Sequence, residues 1–274
     1  MLISTFWSGP ELPPLTQLAI RSWKAQGHSV NLYVFEPNNA PAGVPEGVKL
    51  CCATDVLPYS VLERLIPLVK TKRSPWQQIV SYSDIFRMCL MREGLGFWMD
   101  TDVVLFRPFD PDLSQTWFAT DGPKTVGVSA MYFPPNDPIV EDFLKVLDRD
   151  DLMPHWLGFR RGVVKPSIYN IQRQPFVPTD LGITVFGNDA ITRLVRKHHR
   201  MTECKSSSTF YHLTASATEG FYEPKETEAL MTQNPKITGL HVHRKTRSST
   251  APNPDSAYGR MLVRLGMSQD IFPR

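Results

Sequence analysis

The sequence predicts an α/β protein with a mainly parallel central sheet flanked by helices, in one domain spanning residues 1–274. Three observations predict it. A short apolar strand, an amphipathic helix and a second strand follow one another within about the first 35 residues, the opening unit of a parallel sheet. A long helix, a glycine-containing turn and another apolar strand repeat the alternation at 76–99. Strand and helix patterns then alternate again from residue 126 onward.

Residues 2–7, Leu-Ile-Ser-Thr-Phe-Trp, form a compact apolar run stopped by Ser8-Gly9-Pro10, as a buried strand would be. Pro13 and Pro14 lead into a helix that places Leu15, Leu18, Ala19, Ser22 and Trp23 on one face, with Gly27 as its C-cap. Residues 31–35 give a second strand, and the Pro/Gly-rich stretch 37–47 a surface loop. A helix is expected over 61–69. The basic cluster Lys70, Lys72 and Arg73 then precedes Pro75, which suits the first turn of a helix running over about 76–92. Gly94 and Gly96 break that helix. Residues 97–99 form a short strand ending at Asp100 and Asp102, and 103–106 continue extended. Further on, the pattern predicts a strand at 126–133 and a helix at 138–147. An insert without a clean period follows over about 150–178. Strand character returns at 183–186, then a helix to residue 197, strands at 209–213 and 238–242, a loop at 248–254 and a helix at 256–265.

Composition narrows the function classes. Hydrophobic residues make up 42% and charged residues 21% of the chain, the balance of a folded globular protein. The formal net charge of +3 suits an anionic ligand but falls short of the basic bias of a nucleic-acid binder. The spacing of Cys51, Cys52, Cys89 and Cys204 matches no zinc site, and reduced thiols are the expectation. The N-terminus lacks a basic region followed by a long apolar core, and no apolar run reaches the ~20 residues needed to span a bilayer. A cytoplasmic protein is expected, with a peripheral place at a membrane compatible with the sequence.

Two aspartates one residue apart, at the end of an apolar strand, need a reason. Alternation puts both carboxylates on one side of an extended chain. Like charges that close repel unless a cation lies between them. Mn²⁺ or Mg²⁺ fits, since hard cations take carboxylate oxygens and keep positions for phosphate. A rival is also present in the pattern. Asp-x-Asp-x-Val after a strand matches the nucleophile motif of haloacid-dehalogenase-type phosphatases, with Asp100 as nucleophile. In those proteins the motif follows the first strand, whereas here a strand-helix-strand unit and two further helices come first.

Tyr82-Ser83-Asp84-Ile85-Phe86-Arg87, followed by the run Met91-Arg92-Glu93-Gly94-Leu95-Gly96-Phe97-Trp98-Met99-Asp100-Thr101-Asp102-Val103, resembles the family of glycosyltransferases with a DXD sugar-binding region. That family includes yeast α-1,6-mannosyltransferases, α-1,4-galactosyltransferases and bacterial capsule enzymes, and is related to the large clostridial glucosylating toxins. Phe6-Trp7-Ser8-Gly9 is similar to its Ile-Trp-x-Gly segment. The resemblance implies a GT-A fold with a Rossmann-like sheet, a UDP- or GDP-sugar donor, Mn²⁺ or Mg²⁺, and retention of anomeric configuration. It implies that Trp7 stacks on the donor base, although a Trp packed in the core would satisfy the same pattern. It implies that Asp84 hydrogen-bonds donor-sugar hydroxyls and that Arg87 sits against the sugar or diphosphate. Spaced i, i+3, those two would otherwise read as a surface ion pair.

Relatives often close the site with a His and, a few residues on, a Ser-Trp pair. Within Leu240-His241-Val242-His243-Arg244-Lys245-Thr246-Arg247-Ser248-Ser249, His243 and Ser248 fit that spacing, while Ser249 stands where Trp is expected. His241 and His243 share a strand face, so either is a candidate for the metal or the pyrophosphate. Arg244 and Lys245 offer cations to the phosphates, the alternative being a solvated basic loop. Asn188 and Asp189 start a helix where relatives often have Gly-Pro. Their candidate role is on the acceptor side, next to the insert at 150–178, and a helix-capping acid is the plainer alternative.

The expectation is therefore a hexosyltransferase acting through Asp100 and Asp102 on a nucleotide-diphosphate sugar. Its acceptor would be a glycan, a lipid-linked saccharide or another hydroxyl. Nucleic acid enters only as a modified-base acceptor. Front-face attack, with the departing phosphate taking the acceptor proton, needs no separate catalytic base. The alternatives are the phosphatase and a non-catalytic nucleotide-sugar or glycan-binding module.

Overall fold

The computed structural model describes residues 1–66, 76–174, 176–211, 217–226, 230–231, 235–243 and 252–267. The chain opens with β1 (Leu2–Phe6), α1 (Pro14–Ala25), β2 (Ser29–Val34) and β3 (Lys49–Cys52). Next come α2 (Tyr59–Leu65), α3 (Trp76–Arg92), β4 (Phe97–Met99), β5 (Val103–Leu105), β6 (Trp117–Thr120) and β7 (Val126–Tyr132). The last elements are α4 (Pro138–Leu144), α5 (Lys165–Ile171), α6 (Asn188–Lys197), β8 (Gly239–His241) and α7 (Ala257–Arg264). Six strands form one sheet in the order β3-β2-β1-β4-β7-β6, and β5 pairs with β8 in a separate two-stranded ribbon. Within the large sheet only β7 runs against its neighbours. The mixed α/β class with a mostly parallel sheet is the one the sequence predicts.

Both faces of the sheet are covered, so its central strands are apolar almost without interruption. Alternation sorts their side chains between two cores. Ile3, Leu32, Phe97 and Met99 pack beneath Leu15, Leu18 and Trp23 of α1. Phe6, Tyr33, Trp98 and Met131 pack on the other face against Tyr82 and Phe86 of α3 and the apolar residues of α4 and α6. Gly96 has a φ of +111°, and a Cβ there would lie 2.9 Å from the carbonyl oxygen of Leu2. A side chain at that position would push β4 away from β1, so the turn out of α3 requires glycine.

Helix α1 also fixes the ribbon that carries part of the site. The Trp23 indole donates to the Val103 carbonyl at 2.7 Å, and Leu105 N–H donates to Ser22 Oγ at 2.9 Å. Polar atoms on the buried face of α1 thereby take up backbone groups of β5.

Several expectations need correction. Residues 183–186 form a turn, not a strand; Val185 and Phe186 are buried, and the Val185 carbonyl accepts from the Trp156 indole at 3.0 Å. An apolar run bounded by glycines can pack a loop as well as a strand. The described part of 209–213 is likewise no strand. It follows a single 3₁₀ turn (Ser207–Thr209) and buries Phe210 and Tyr211. The extended run expected at 103–106 is present as β5, which pairs with β8 outside the central sheet. Helix α2 stops at Leu65, where Ile66 turns extended, and residues 67–69 of the expected helix lie outside the described residues, as do Lys70, Lys72, Arg73 and Pro75. The insert carries α5, and β3 and β6 are sheet strands that periodicity does not reveal. No helix among the described residues is long and apolar enough to cross a membrane.

One polar cluster fastens α4 to α6. Asp142 is buried and meets Lys197 Nζ at 2.7 Å, His198 Nε2 at 3.0 Å, His155 Nε2 at 3.1 Å and Lys145 Nζ at 3.4 Å. Burial opposes its charge, but hydrogen bonds from Lys197 and His198 outweigh burial and hold the carboxyl far below the ordinary range. A depressed folded-state pKa adds stability above the unfolded value of about 3.9, and that contribution is lost as pH falls below it. Asp142→Asn should cost about 1–2 kcal/mol at neutral pH, the low end because the lysines are well exposed. Denaturant titrations at neutral pH and near pH 3 check this: the gap between parent and variant should shrink in acid, and an unchanged gap refutes it.

Candidate functional site

In an open α/β sheet, ligands bind beyond the carboxyl ends of the strands where the strand order reverses. That point lies between β1 and β4, since β2 and β3 extend the sheet from one side of β1 and β4 from the other. Trp7 leaves β1 there and Asp100 leaves β4. Between them opens a cleft of about 210 Å³ lined by Thr5, Trp7, Ser83, Arg87, Asp100 and Asp102 among others. A second cleft of about 310 Å³ lies over the ends of β1 and β2, shares Trp7 and Ser8 with the first, and has Glu36 and Asn39 in its lining.

Convergence of the two aspartates has a different cause from strand alternation. The chain turns at 100–102, closed by Val103 N–H donating to the Asp100 carbonyl at 3.0 Å. Asp100 N–H donates to the Ser129 carbonyl at 2.6 Å, which anchors the turn to β7. Beyond the turn, β5 pairs antiparallel with β8 so that Val103 faces His241, and Val242 N–H donates to the Asp102 carbonyl at 2.9 Å. This register is what carries His241 to the aspartates. One ligand atom each of Asp100, Asp102 and His241 lie within 4.8 Å of one another.

His241 is held from several sides. Its Nε2 lies 3.4 Å from Asp102 Oδ1 and 3.1 Å from Ser129 Oγ, and its ring stands edge-on to Tyr211. The Tyr211 hydroxyl itself accepts from the N–H groups of Ser129 and Ala130, each at 3.1 Å. Burial works against a charge on the imidazole, but Asp102, with help from Asp100 and Asp121, overrides it and raises the His241 pKa. His243 packs against the His241 ring at a centroid distance of 4.0 Å rather than adding a ligand atom to the three.

Behind the aspartates lies a buried ion pair, not a surface one. Arg87 Nη2 meets Asp84 Oδ1 at 2.5 Å, with both side chains about 5% exposed or less. Arg87 Nη1 donates to the Val128 carbonyl at 2.5 Å and lies 3.7 Å from Asp100 Oδ1. The guanidinium stands 4.9 Å over the Trp98 ring, whose indole donates to the same Asp100 Oδ1 at 2.7 Å. Arg87 therefore reaches the cleft while Asp84 sits beneath it. Burial pushes the Asp84 carboxyl up to about 7; Arg87 opposes that shift and Asp100 adds to it. Against Asp84 packs Gly187, at the start of α6, where a Cβ would meet the carboxylate at 3.0 Å.

The remaining predicted residues divide. Trp7 is half-buried and forms the wall shared by both clefts. Its Nε1, Arg87 Nε and Thr5 Oγ1 are all shut off from solvent without a hydrogen-bond partner among the described residues. Asn188 donates to the Val126 carbonyl at 2.9 Å, and Asp189 pairs with Arg161 and accepts from Thr184. Both therefore fasten the N-terminus of α6. Arg244, Lys245 and Ser248 lie outside the described residues. Sequence reasoning did not single out Trp98, Ser129, Gly187 or Tyr211. Only Trp98 carried a signal, as an indole in the strand two residues before Asp100; the others act through distant contacts.

Two carboxylates and an imidazole are a donor set that could hold a divalent cation. Gly187→Ala should crowd the Asp84 carboxylate, which must shift by a few tenths of an ångström against Arg87, and cost about 1–3 kcal/mol. Thermal and chemical denaturation of the variant checks this, and unchanged stability would show that the Asp84 carboxylate can move without penalty.

Compared with known proteins, the chain matches no family model and no curated protein.

Proposed function

We propose that the protein is a metal-dependent retaining glycosyltransferase of GT-A type, transferring a hexose from a nucleotide-diphosphate sugar to a hydroxyl acceptor. The carrying observation is the Asp100–Asp102–His241 cluster at the reversal of strand order, opening onto a cleft walled by Trp7. A bound Mn²⁺ or Mg²⁺ would neutralise the diphosphate as the glycosidic bond breaks. Asp100, Asp102 and His241 would hold that ion. Trp7 would stack on the nucleobase from the wall between the two clefts, leaving the second cleft for the nucleoside.

Arg87 is the protein's fixed cation in this cleft. Asp84, Val128 and the Trp98 ring leave its guanidinium little freedom, so it meets a sugar or phosphate oxygen without reorganising. The acceptor hydroxyl would attack from the face the donor leaves, its proton passing to the departing phosphate. Arg244, Lys245 and Ser248 are proposed as donor-binding residues. Glycan, lipid-linked and other hydroxyl acceptors all fit this scheme.

Thermal stabilisation by a panel of UDP- and GDP-sugars, with and without Mn²⁺, tests the proposal. One nucleotide sugar should raise the melting temperature only when Mn²⁺ is present, and be turned over repeatedly. Asp102→Ala should abolish that stabilisation and lower turnover by more than about 100-fold, with the fold retained. Undiminished activity in the variant would refute the assignment. Hydrolysis of organic phosphates through a phosphorylated Asp100 would point to the phosphatase, and metal-dependent binding without turnover to a binding module.

A further inference from the structure

Helices in folded proteins ordinarily bury a face, yet the one over residues 160–171 has no buried residue. A π-helical turn (Arg160–Val164) runs directly into α5. Of the nine large apolar side chains exposed among the described residues, four belong to this segment and a fifth, Phe159, directly precedes it. Phe159 is 75% exposed, Val163 49%, Val164 37%, Ile168 46% and Ile171 81%. Their spacing runs four or five residues across the wide π turn, then four and three across α5, which aligns them in one stripe.

Charge is as one-sided as the apolar pattern. From Leu152 to Thr179 the sequence has no Asp or Glu, and it has Arg160, Arg161, Lys165 and Arg173. Two of these pin the helix to the body. Arg161 pairs with Asp189 and donates to the Leu181 carbonyl at 2.8 Å, and Lys165 donates to the Asp180 carbonyl at 2.6 Å. Arg160 and Arg173 are exposed at the two ends of the stripe. Exposed Arg193 of α6 adds a third cation, its Nη1 4.0 Å from where a Cβ would stand on Gly158. Of the acids beside it, Asp180 is buried, and Asp189 is ion-paired with Arg161.

We propose that this helix docks the protein on an anionic lipid surface, with Phe159, Val163, Ile168 and Ile171 entering the acyl boundary and Arg160, Arg173 and Arg193 meeting headgroup phosphates. An apolar stripe rimmed by cations, with the carboxylates beside it buried or ion-paired, is the complement of such a surface. A stable protein interface needs some 20–30 residues a side, far more than this stripe offers. The site is also well placed. Asp189, which holds Arg161, lies two residues from Gly187, which packs on Asp84 under the cleft. Resting on the transfer function proposed above, docking here would bring the cleft beside a lipid-borne acceptor; the docking itself does not depend on that function.

Co-sedimentation of the full chain with vesicles, without donor or metal, tests it. Vesicles of phosphatidylcholine with about a third phosphatidylglycerol should bind the protein, and phosphatidylcholine alone should not. Binding should weaken several-fold between roughly 50 and 200 mM salt. Phe159→Ser/Ile171→Ser should lose binding about tenfold or more, and Arg160→Gln/Arg173→Gln several-fold, both keeping the parent melting temperature. Absent binding, binding indifferent to phosphatidylglycerol, or variants that bind like the parent would overturn the proposal. So would a solution dimer of the parent that the apolar variant dissociates, since a second copy would then cover the stripe. Vesicle binding by a protein that transfers no sugar would uphold the docking and count only against the transfer function.

Discussion

Asp100 and Asp102 are turned toward each other at a partly enclosed strand end, and much of the surrounding structure answers the repulsion this creates. Like charges brought together away from bulk water raise one another's energy unless positive groups are fixed nearby. Arg87 approaches Asp100 from one side and His241 approaches Asp102 from the other. Arg87 is itself taken out of water, which is tolerable because Asp84 pairs with it. The contacts thus run from Asp84 and Arg87 of helix α3 through the two aspartates to His241 of β8.

The fold delivers these groups from three separate stretches of chain, and each delivery has its own local cause. Gly96 lets β4 lie against β1, which brings Asp100 and Trp7 to the same cleft. Antiparallel β7 supplies the Ser129 carbonyl that fixes the turn and the Val128 carbonyl that fixes Arg87. Ser22 and Trp23 of α1 take up backbone groups of β5 and so fix the strand against which β8 finds its register. A one-residue slip in that register would turn His241 away from Asp102. Precision at the site therefore comes from backbone hydrogen bonds, while the burial around them supplies the stability.

How much of this was legible in the sequence follows from how local each cause is. The opening strand-helix-strand unit, α3 and β4 were readable because their apolar periods are long or sharply bounded by Pro and Gly. Strands β3 and β6, only four residues each, carry too few alternations to stand out, and 183–186 shows that an apolar run can pack a turn equally well. At the site, Asp100 and Asp102 were singled out from their spacing, and Arg87 and Trp7 through the family resemblance, and all four line one cleft. Between His241 and His243 the sequence could not choose, because only the β5–β8 register distinguishes them. Asp84 was assigned to the cleft although it lies beneath it. Ser129, Tyr211 and Gly187 were beyond reach, since each acts on a residue dozens of positions away.

The buried Asp84–Arg87 pair bears on why the site is built from charge at all. Stability alone does not favour it: apolar residues of similar volume commonly replace a buried ion pair at no loss. Orientation is the better explanation. One guanidinium nitrogen is committed to Asp84, another to Val128, and the face of the group to Trp98, so the remaining edge points one way only. An apolar substitute would keep α3 packed but leave no cation beside Asp100. A lysine would keep the charge but could not make these directed contacts at once, because it lacks the planar fork. The energetic cost of burying Asp84, visible in its raised pKa, is then the cost of holding one cation in a single pose before any ligand arrives.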